Sequence, residues 1–114
     1  MQSSEVIEEF VTAAVQYGEA TLEGNSRVVN KQHEILRKLY QELREGYSSF
    51  ESEIHQLLSH DNSYVRLHAA CCLIPVSPTE AKETLVKLSS ERGTLGFDAK
   101  MTLKEWEKGT LKII

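Results

Sequence analysis

The amino-acid sequence predicts an all-α fold of three stacked helical hairpins, and three observations lead to this prediction. Apolar residues recur with a period near 3.6 in six successive segments, and no segment shows the period-2 alternation of a β-strand. The chain has only six Gly and two Pro among its 114 residues, although the turns of all-β proteins use both. Two consecutive pairs of segments also share the same apolar spacing, which is typical of stacked helix pairs.

The first pair of helices is predicted at residues 5–22 and 27–45. The apolar stripe of the first helix consists of Val6, Ile7, Phe10, Ala14 and Tyr17. Ser26 is expected to cap the second helix and Gly46 to end it. This longer pair does not share the spacing of the later pairs, so we expect it to act as an N-terminal cap of the stack.

The second pair begins at Ser48. Ser48 followed by Glu51 is the pattern of a capping box, in which side chains at a helix start bond to its free backbone N–H groups. Asp61 or Asn62 is expected to cap the fourth helix. That helix is expected to end just before Pro75, since proline disfavours helical backbone at the residue that precedes it.

The third pair opens with the clearest start signal in the chain. Ser77 is expected to cap the fifth helix, Pro78 to lie in its first turn and Glu80 to complete a capping box. This helix is expected to end before Gly93, and the sixth helix is predicted at residues 95–108.

The last two pairs contain an internal repeat. The matching apolar positions of the third and fifth helices are Phe50, Ile54 and Leu57 and then Ala81, Leu85 and Leu88, offset by 31 residues. Those of the fourth and sixth helices are Val65, Ala69 and Leu73 and then Leu95, Ala99 and Leu103, offset by 30 residues. The chain is therefore interpreted as one domain of residues 1–114, with a capping pair (1–47), repeat one (48–76) and repeat two (77–114). The apolar tail of repeat two, residues 110–114, is expected to pack on the last pair.

Residues 60–70, with the sequence HDNSYVRLHAA, resemble the second helix of HEAT-like repeats. The shared features are an Asp before the helix, the pair Val65-Arg66 and an alanine, Ala69, at the helix crossing. The whole chain is similar to a small, uncharacterised bacterial family of HEAT-like proteins, although its period is shorter than the roughly 40 residues usual for HEAT repeats. The resemblance implies a short right-handed α–α superhelix of the HEAT/ARM-like type, which acts as a binding surface.

Composition excludes several classes of protein. With 17 Asp and Glu against 13 Lys and Arg, the net charge is −4, and a nucleic-acid-binding domain would have a basic excess. No apolar run approaches the ~18 residues of a membrane span, and no signal-peptide pattern opens the sequence. The two cysteines, Cys71 and Cys72, are adjacent and cannot form an unstrained disulfide within a helix. We therefore expect a cytoplasmic protein with no nucleic-acid or membrane partner.

The negative charge is concentrated at one end of the sequence. Residues 1–26 contain five glutamates and no Lys or Arg, while the remaining residues sum to +1. At 100° per residue, all five fall within an arc of roughly 100° on the first helix. These glutamates are Glu5, Glu8, Glu9, Glu19 and Glu23. They are interpreted either as a solvated face or as a surface that attracts a basic partner, with Glu19 and Glu23 as candidate contacts.

A second candidate surface combines the fourth and sixth helices. Its members are Tyr64, Leu67 and His68 on the fourth helix and Phe97, Asp98 and Met101 on the sixth. If second helices line one side of the stack, these residues form a mixed aromatic, apolar and acidic strip that suits a protein interface. The alternative is that neighbouring helices or the C-terminal tail cover the strip.

The sequence contains no phosphate-binding loop, hydrolase elbow or zinc-protease motif. His68, Cys71 and Cys72 could contribute to a metal site of an enzyme, but zinc would need further ligands, and small thiols filling a helix crossing also explain the two cysteines. Glu51 and His55 could act as an acid and a base or form a solvated surface pair. We expect no enzymatic activity, no catalytic residue, no cofactor and no bound metal.

The function that the sequence favours is that of a non-enzymatic protein-binding module. Small, acidic helical proteins of this type resemble bacterial immunity proteins, which bind and block a toxin. Nuclease toxins are basic because they bind phosphate backbones, so an acidic inhibitor complements their surface. The alternative is a scaffold or oligomerising subunit, and a metal-dependent or lyase-like enzyme is the third hypothesis.

Overall fold

The computed structural model of the protein describes residues 3–109, which form six α-helices and no strand. The helices are α1 (Ser3–Glu23), α2 (Ser26–Glu45), α3 (Tyr47–Leu57), α4 (Ser63–Leu73), α5 (Pro78–Leu88) and α6 (Gly93–Lys108). The all-α prediction is confirmed. The expected packing of residues 110–114 lies outside the described residues.

Helix α4 lies at the centre of the structure. It contacts each of the other five helices, and eight of its 11 residues are buried. The small side chains of Ala69 and Ala70 are fully buried, so neighbouring helices approach α4 closely. The other helices therefore pack around α4, which is apolar over most of its circumference.

The apolar faces predicted from periodicity form the core. The largest fully buried side chains include one from each of the first five helices: Phe10, Leu36, Ile54, Leu73 and Leu85. Nearly all the positions matched between the two predicted repeats are buried, and Phe50 and Leu103 are partly buried against the core. Burying one such side chain contributes about 1.5–3 kcal/mol to the free energy of unfolding.

Two asparagines cap helices. The side chain of Asn62 accepts hydrogen bonds from the backbone N–H groups of Tyr64 and Val65, at 2.9 and 3.2 Å, as the sequence predicted for one of two alternatives. Asn25 caps α2 by accepting from the N–H of Val28 at 3.2 Å. The prediction that Ser26 caps α2 is wrong, because Ser26 is already the first helical residue.

The predicted capping box at the start of α3 is also wrong. The carbonyl of Gly46 accepts from the N–H groups of Ser49 and Phe50, at 2.8 and 3.2 Å. The helix therefore starts at Tyr47 with Gly46 as its N-cap, and Ser48 lies in the first turn rather than at the cap position. At the far end of the chain Gly109 ends α6 in the left-handed region with φ 74°, as predicted.

The start of α5 differs from a standard capping box. Pro78 occupies the first turn as predicted, but the side chain of Ser77 makes no hydrogen bond to the helix backbone. Its hydroxyl instead donates to the Glu80 carboxylate at 3.4 Å. Glu80 also accepts a hydrogen bond from a histidine of α3, which explains why its carboxylate does not accept one from the backbone N–H of Ser77.

None of the helices within residues 3–109 combines the length and the apolar character that crossing a membrane requires.

Candidate protein-binding groove

The five glutamates of α1 lie on its exposed face. The opposite face carries Val6, Phe10 and Ala14, which are buried in the core. None of the five carboxylates forms an ion pair or a hydrogen bond with any residue that the structure describes. Helix α1 also contains no basic residue. We call this surface the acidic face, and its charge is not neutralised within the described chain.

A groove lies between the N-terminal part of the acidic face and helix α2. Its volume is about 640 Å³, and it is shallow and widely open to solvent. Helix α1 contributes Glu5, Glu8, Glu9, Thr12, Ala13 and Gln16, and α2 contributes Lys31, Gln32 and Ile35. Three carboxylates and one ammonium give this acidic groove a charge of −2. Glu19 and Glu23 belong to the acidic face but do not line the groove.

Gln32 lines the acidic groove and is almost completely buried. Its exposed fraction is 7%, and its side chain makes no hydrogen bond in the described part of the chain. A primary amide offers two N–H donors and one carbonyl acceptor. Leaving such groups unsatisfied costs about 1–3 kcal/mol. The groove therefore contains a polar group that solvent or a ligand must satisfy.

The predicted strip on α4 and α6 is divided by the packing of α1. Tyr64, Leu67 and His68 are buried, because α1 lies against this face of α4. A methyl group added at Gly18 of α1 would overlap the ring of Tyr64, which shows how closely the two helices pack. For these three residues the structure agrees with the alternative in which neighbouring helices cover the face, so the expected continuous strip is corrected.

The α6 part of the strip remains accessible. Phe97 is 62% exposed and Met101 lies one turn further along the same face, also exposed. Asp98 is half-buried, and desolvation raises the pKa of its carboxyl. The exposed apolar surface on α6 is therefore limited to the neighbourhood of Phe97 and Met101.

Buried His68 bonds a tyrosine of α2. The hydroxyl of Tyr40 lies 2.6 Å from Nδ1 of His68. Burial lowers the pKa of His68 to about 3, helped by the nearby His33, so the ring is neutral at pH 7. Burial also raises the pKa of Tyr40, so its O–H is retained and the hydrogen bond joins two neutral side chains. The Nε2 atom of His68 is buried and has no hydrogen-bond partner, and the ring of Tyr17 makes a T-shaped contact with His68 at 4.6 Å between centroids.

The two cysteines lie at the end of α4 as free thiols. Burial raises the pKa of Cys71 to about 12 and that of Cys72 to about 11, so both stay protonated near neutral pH. The Arg44 side chain donates to the backbone carbonyls of both residues, at 3.1 and 2.9 Å. Within residues 3–109, no group of three or more His, Cys, Asp or Glu side chains could hold a metal ion. The buried thiol of Cys72 and the partly buried thiol of Cys71 agree with the interpretation that small side chains fill a helix crossing.

His55 bonds residues other than the one the sequence suggested. Its Nδ1 donates to the Glu80 carboxylate at 2.7 Å, and its Nε2 accepts from the Tyr47 hydroxyl at 2.8 Å. No hydrogen bond joins it to Glu51 in the described structure, although the two side chains line the same surface pocket. The resulting chain of three polar side chains connects α3 to the first turn of α5.

A family model described as "Domain of unknown function (DUF2019)" matches residues 4–107. The chain belongs to this family. It is also similar to a solved structure, the crystal structure of the protein RPA1889 from Rhodopseudomonas palustris CGA009. The two are 25% identical with a TM-score of 0.86, over 98% of this chain and 93% of the other. No curated protein matches the sequence.

The buried glutamine of this family member is the part of the groove that sequence reasoning missed. Gln32 lies one turn before Leu36 and falls inside the apolar stripe that also contains Leu39 and Leu43. A polar residue at a core position of an amphipathic helix was the sequence feature that could have identified Gln32 as a candidate site residue. The participation of Lys31 and Ile35 in the same groove depends on how α1 docks on α2, which the stripe alone does not specify.

Proposed function

We propose that this protein is a non-enzymatic binding module that holds a basic protein partner on the acidic face of α1. The observation that carries the proposal is that five exposed glutamates on one helix have no ionic partner among the described residues. A basic protein surface would supply the missing counter-charges and would be attracted from a distance.

The placement of the charges supports a binding role. Glu5 and Glu9, like Glu19 and Glu23, are four residues apart, and like charges at this spacing destabilise a helix by about 0.2–0.5 kcal/mol per pair. Glu23 also lies in the last turn of α1, where the helix dipole disfavours an anion. Charges that destabilise their own helix and have no stabilising partner within the protein are expected at functional surfaces.

The proposed framework is a HEAT/ARM-like stack of helical hairpins. The burial of the apolar positions repeated between residues 50–73 and 81–103 supports it. Such a stack presents its helix faces rigidly, so that binding requires little reordering. We place the protein in the cytoplasm, where its two protonated, unpaired thiols are stable.

The specific role that we propose is that of a bacterial immunity protein that binds and blocks a cognate toxin domain. A nuclease toxin must attract phosphate groups, so its active-site surface is basic. An acidic face seated on that surface would exclude the nucleic acid. The salt dependence of the complex would then be strong, because its contacts are between charges at the protein surface.

The test uses the product of the gene adjacent to that of this protein, purified as a toxin domain. Titration calorimetry at 50 and 500 mM NaCl should give a 1:1 complex that weakens as the salt concentration rises, and an excess of this protein should stop cleavage of nucleic acid. The double variant E19Q/E23Q should bind more weakly. Full toxin activity in the presence of a tenfold excess would contradict the immunity role.

A second candidate function, that of an oligomerising or scaffold subunit, is supported by the exposed side chains on α6. Phe97 and Met101 form an apolar pair on the outer face of that helix. Sedimentation velocity of the protein alone tests this function. A dimer that the Phe97→Ser variant converts to a monomer would support it, and a monomer at 100 μM would contradict it.

A further inference from the structure

The acidic groove has features that select among basic side chains. Its carboxylates, Glu5, Glu8 and Glu9, outnumber its single ammonium, that of Lys31. Lys31 forms no ion pair with them, so the three carboxylates remain available to a ligand. The groove therefore has a local preference for cations that does not depend on Glu19 or Glu23.

Gln32 supplies a second, independent feature. This residue is more than nine-tenths buried, lines the groove and makes no side-chain hydrogen bond in the described structure. The amide oxygen accepts N–H donors, and a donor that enters the groove would satisfy it. Because most of the residue is buried, a hydrogen bond from a charged donor to this acceptor is stronger than one made on a fully exposed surface.

A guanidinium group satisfies both features at once. It is planar and carries five N–H donors, so one edge can bond the Gln32 oxygen while another faces the carboxylates. The apolar groove residues Ala13 and Ile35 offer contacts for the methylene groups of an arginine side chain. A lysine ammonium is more strongly hydrated and offers its donors from a single point, so it gains less in a partly buried site.

The length of the groove indicates a segment rather than a single residue. Along α1 it extends from Glu5 to Gln16, which at 1.5 Å per residue is about 16 Å. An extended peptide rises about 3.3 Å per residue, so roughly five residues span this distance. Such a segment could place one arginine at Gln32 and a second cation among the N-terminal glutamates of α1.

We infer that the acidic groove between α1 and α2 binds an arginine-containing segment of a basic protein partner, with Gln32 selecting guanidinium over ammonium. This inference rests on the proposed function, since it specifies where and how the basic partner is held. It adds a chemical preference that charge alone does not produce.

The experiment titrates the ¹⁵N-labelled protein with a capped hexa-arginine peptide and, separately, with a capped hexa-lysine peptide of equal charge, in 50 mM NaCl. We expect hexa-arginine to shift the side-chain amide signals of Gln32 and to bind about tenfold more tightly than hexa-lysine, a difference of about 1.4 kcal/mol. Spermine serves as the third ligand, and we expect it to bind no more tightly than hexa-lysine.

Three variants separate the contributions. Gln32→Leu should abolish the preference for arginine, and E8Q/E9Q should weaken both peptides. The matched control is E19Q/E23Q, which removes the same charge from the same helix outside the groove and should leave the Gln32 signals responsive. Circular dichroism of each variant checks that the helices are retained.

The possible failures are distinguishable. Equal affinity for the two peptides, or an unchanged arginine preference in Gln32→Leu, would overturn the inference. If hexa-arginine binds but shifts only the signals near Glu19 and Glu23, the groove assignment is wrong while the acidic face keeps its proposed role. If neither peptide binds in 50 mM NaCl, the inference and the proposed function are both contradicted.

Discussion

Replacing Gln32 with leucine should stabilise the protein. Gln32 lies in the apolar stripe of α2, with 7% of its surface exposed and no side-chain hydrogen bond in the described structure. Leucine is close to glutamine in size, so the substitution leaves no cavity and removes a buried amide that is not satisfied. An unsatisfied polar group costs about 1–3 kcal/mol. Since the amide keeps some contact with solvent through the groove, the gain lies at the lower end of this range, and we expect the free energy of unfolding to rise by about 1 kcal/mol.

Urea denaturation followed by circular dichroism at 222 nm measures this change. The midpoint of thermal unfolding should rise by about 5 °C for each kcal/mol in a chain of this size. The matched control is Gln16→Leu, an exposed residue of the same groove, for which we expect a change within about 0.5 kcal/mol. A Gln32→Leu variant less stable than the wild type would refute the reasoning, because it would mean that the amide has a favourable partner.

Three further predictions concern the packing, a buried histidine and a surface hydrogen bond. Gly18→Ala should lower the free energy of unfolding by about 1–3 kcal/mol in urea denaturation, since the added methyl group overlaps the Tyr64 ring; a neutral result would mean that the helices separate easily. The pKa of His68 falls from 6.5 to about 3 on folding, so the unfolded chain binds more protons between these values and stability should decrease as the pH falls from 6.5. The decrease from pH 7 to pH 4.5 should be smaller in His68→Phe, and an unchanged pH profile would contradict this. Glu80→Gln should cost about 0.2–1 kcal/mol by weakening the solvent-exposed bond to His55, and a double-mutant cycle with His55→Ala should give a nonzero coupling.

The elements of the fold that the sequence predicted are those that local chemistry specifies. Apolar periodicity located all six helices within a few residues of their observed bounds. Asn62 and Gly109 were predicted as helix ends because a short polar side chain and a residue tolerant of positive φ are required there. Ser48 was misassigned because the break between α2 and α3 is the single residue Gly46, so α3 begins at Tyr47, one residue before the serine.

The features that escaped prediction depend on contacts between distant residues. His55 and Glu80 are 25 positions apart and meet only because α3 and α5 are brought together. The burial of His68 results from the packing of α1 on α4. In the sequence, only the glycine at position 18 of α1 indicates that the two helices approach closely there. The acidic face could be recognised from five glutamates in a single helix. The groove required the docking of two helices and a polar residue inside an apolar stripe.

The central position of α4 has a consequence for the dynamics of the molecule. Because this helix contacts all five others, its backbone N–H groups become accessible only when most of the structure has opened. Hydrogen–deuterium exchange should therefore be slowest in α4, at a rate that reports global unfolding. The outer turns of α1 do not share this protection. A partner that binds the acidic face would slow hydrogen exchange in α1 by covering it. It would slow exchange in α4 only by stabilising the folded state of the whole chain, so the change in α4 would report the binding free energy.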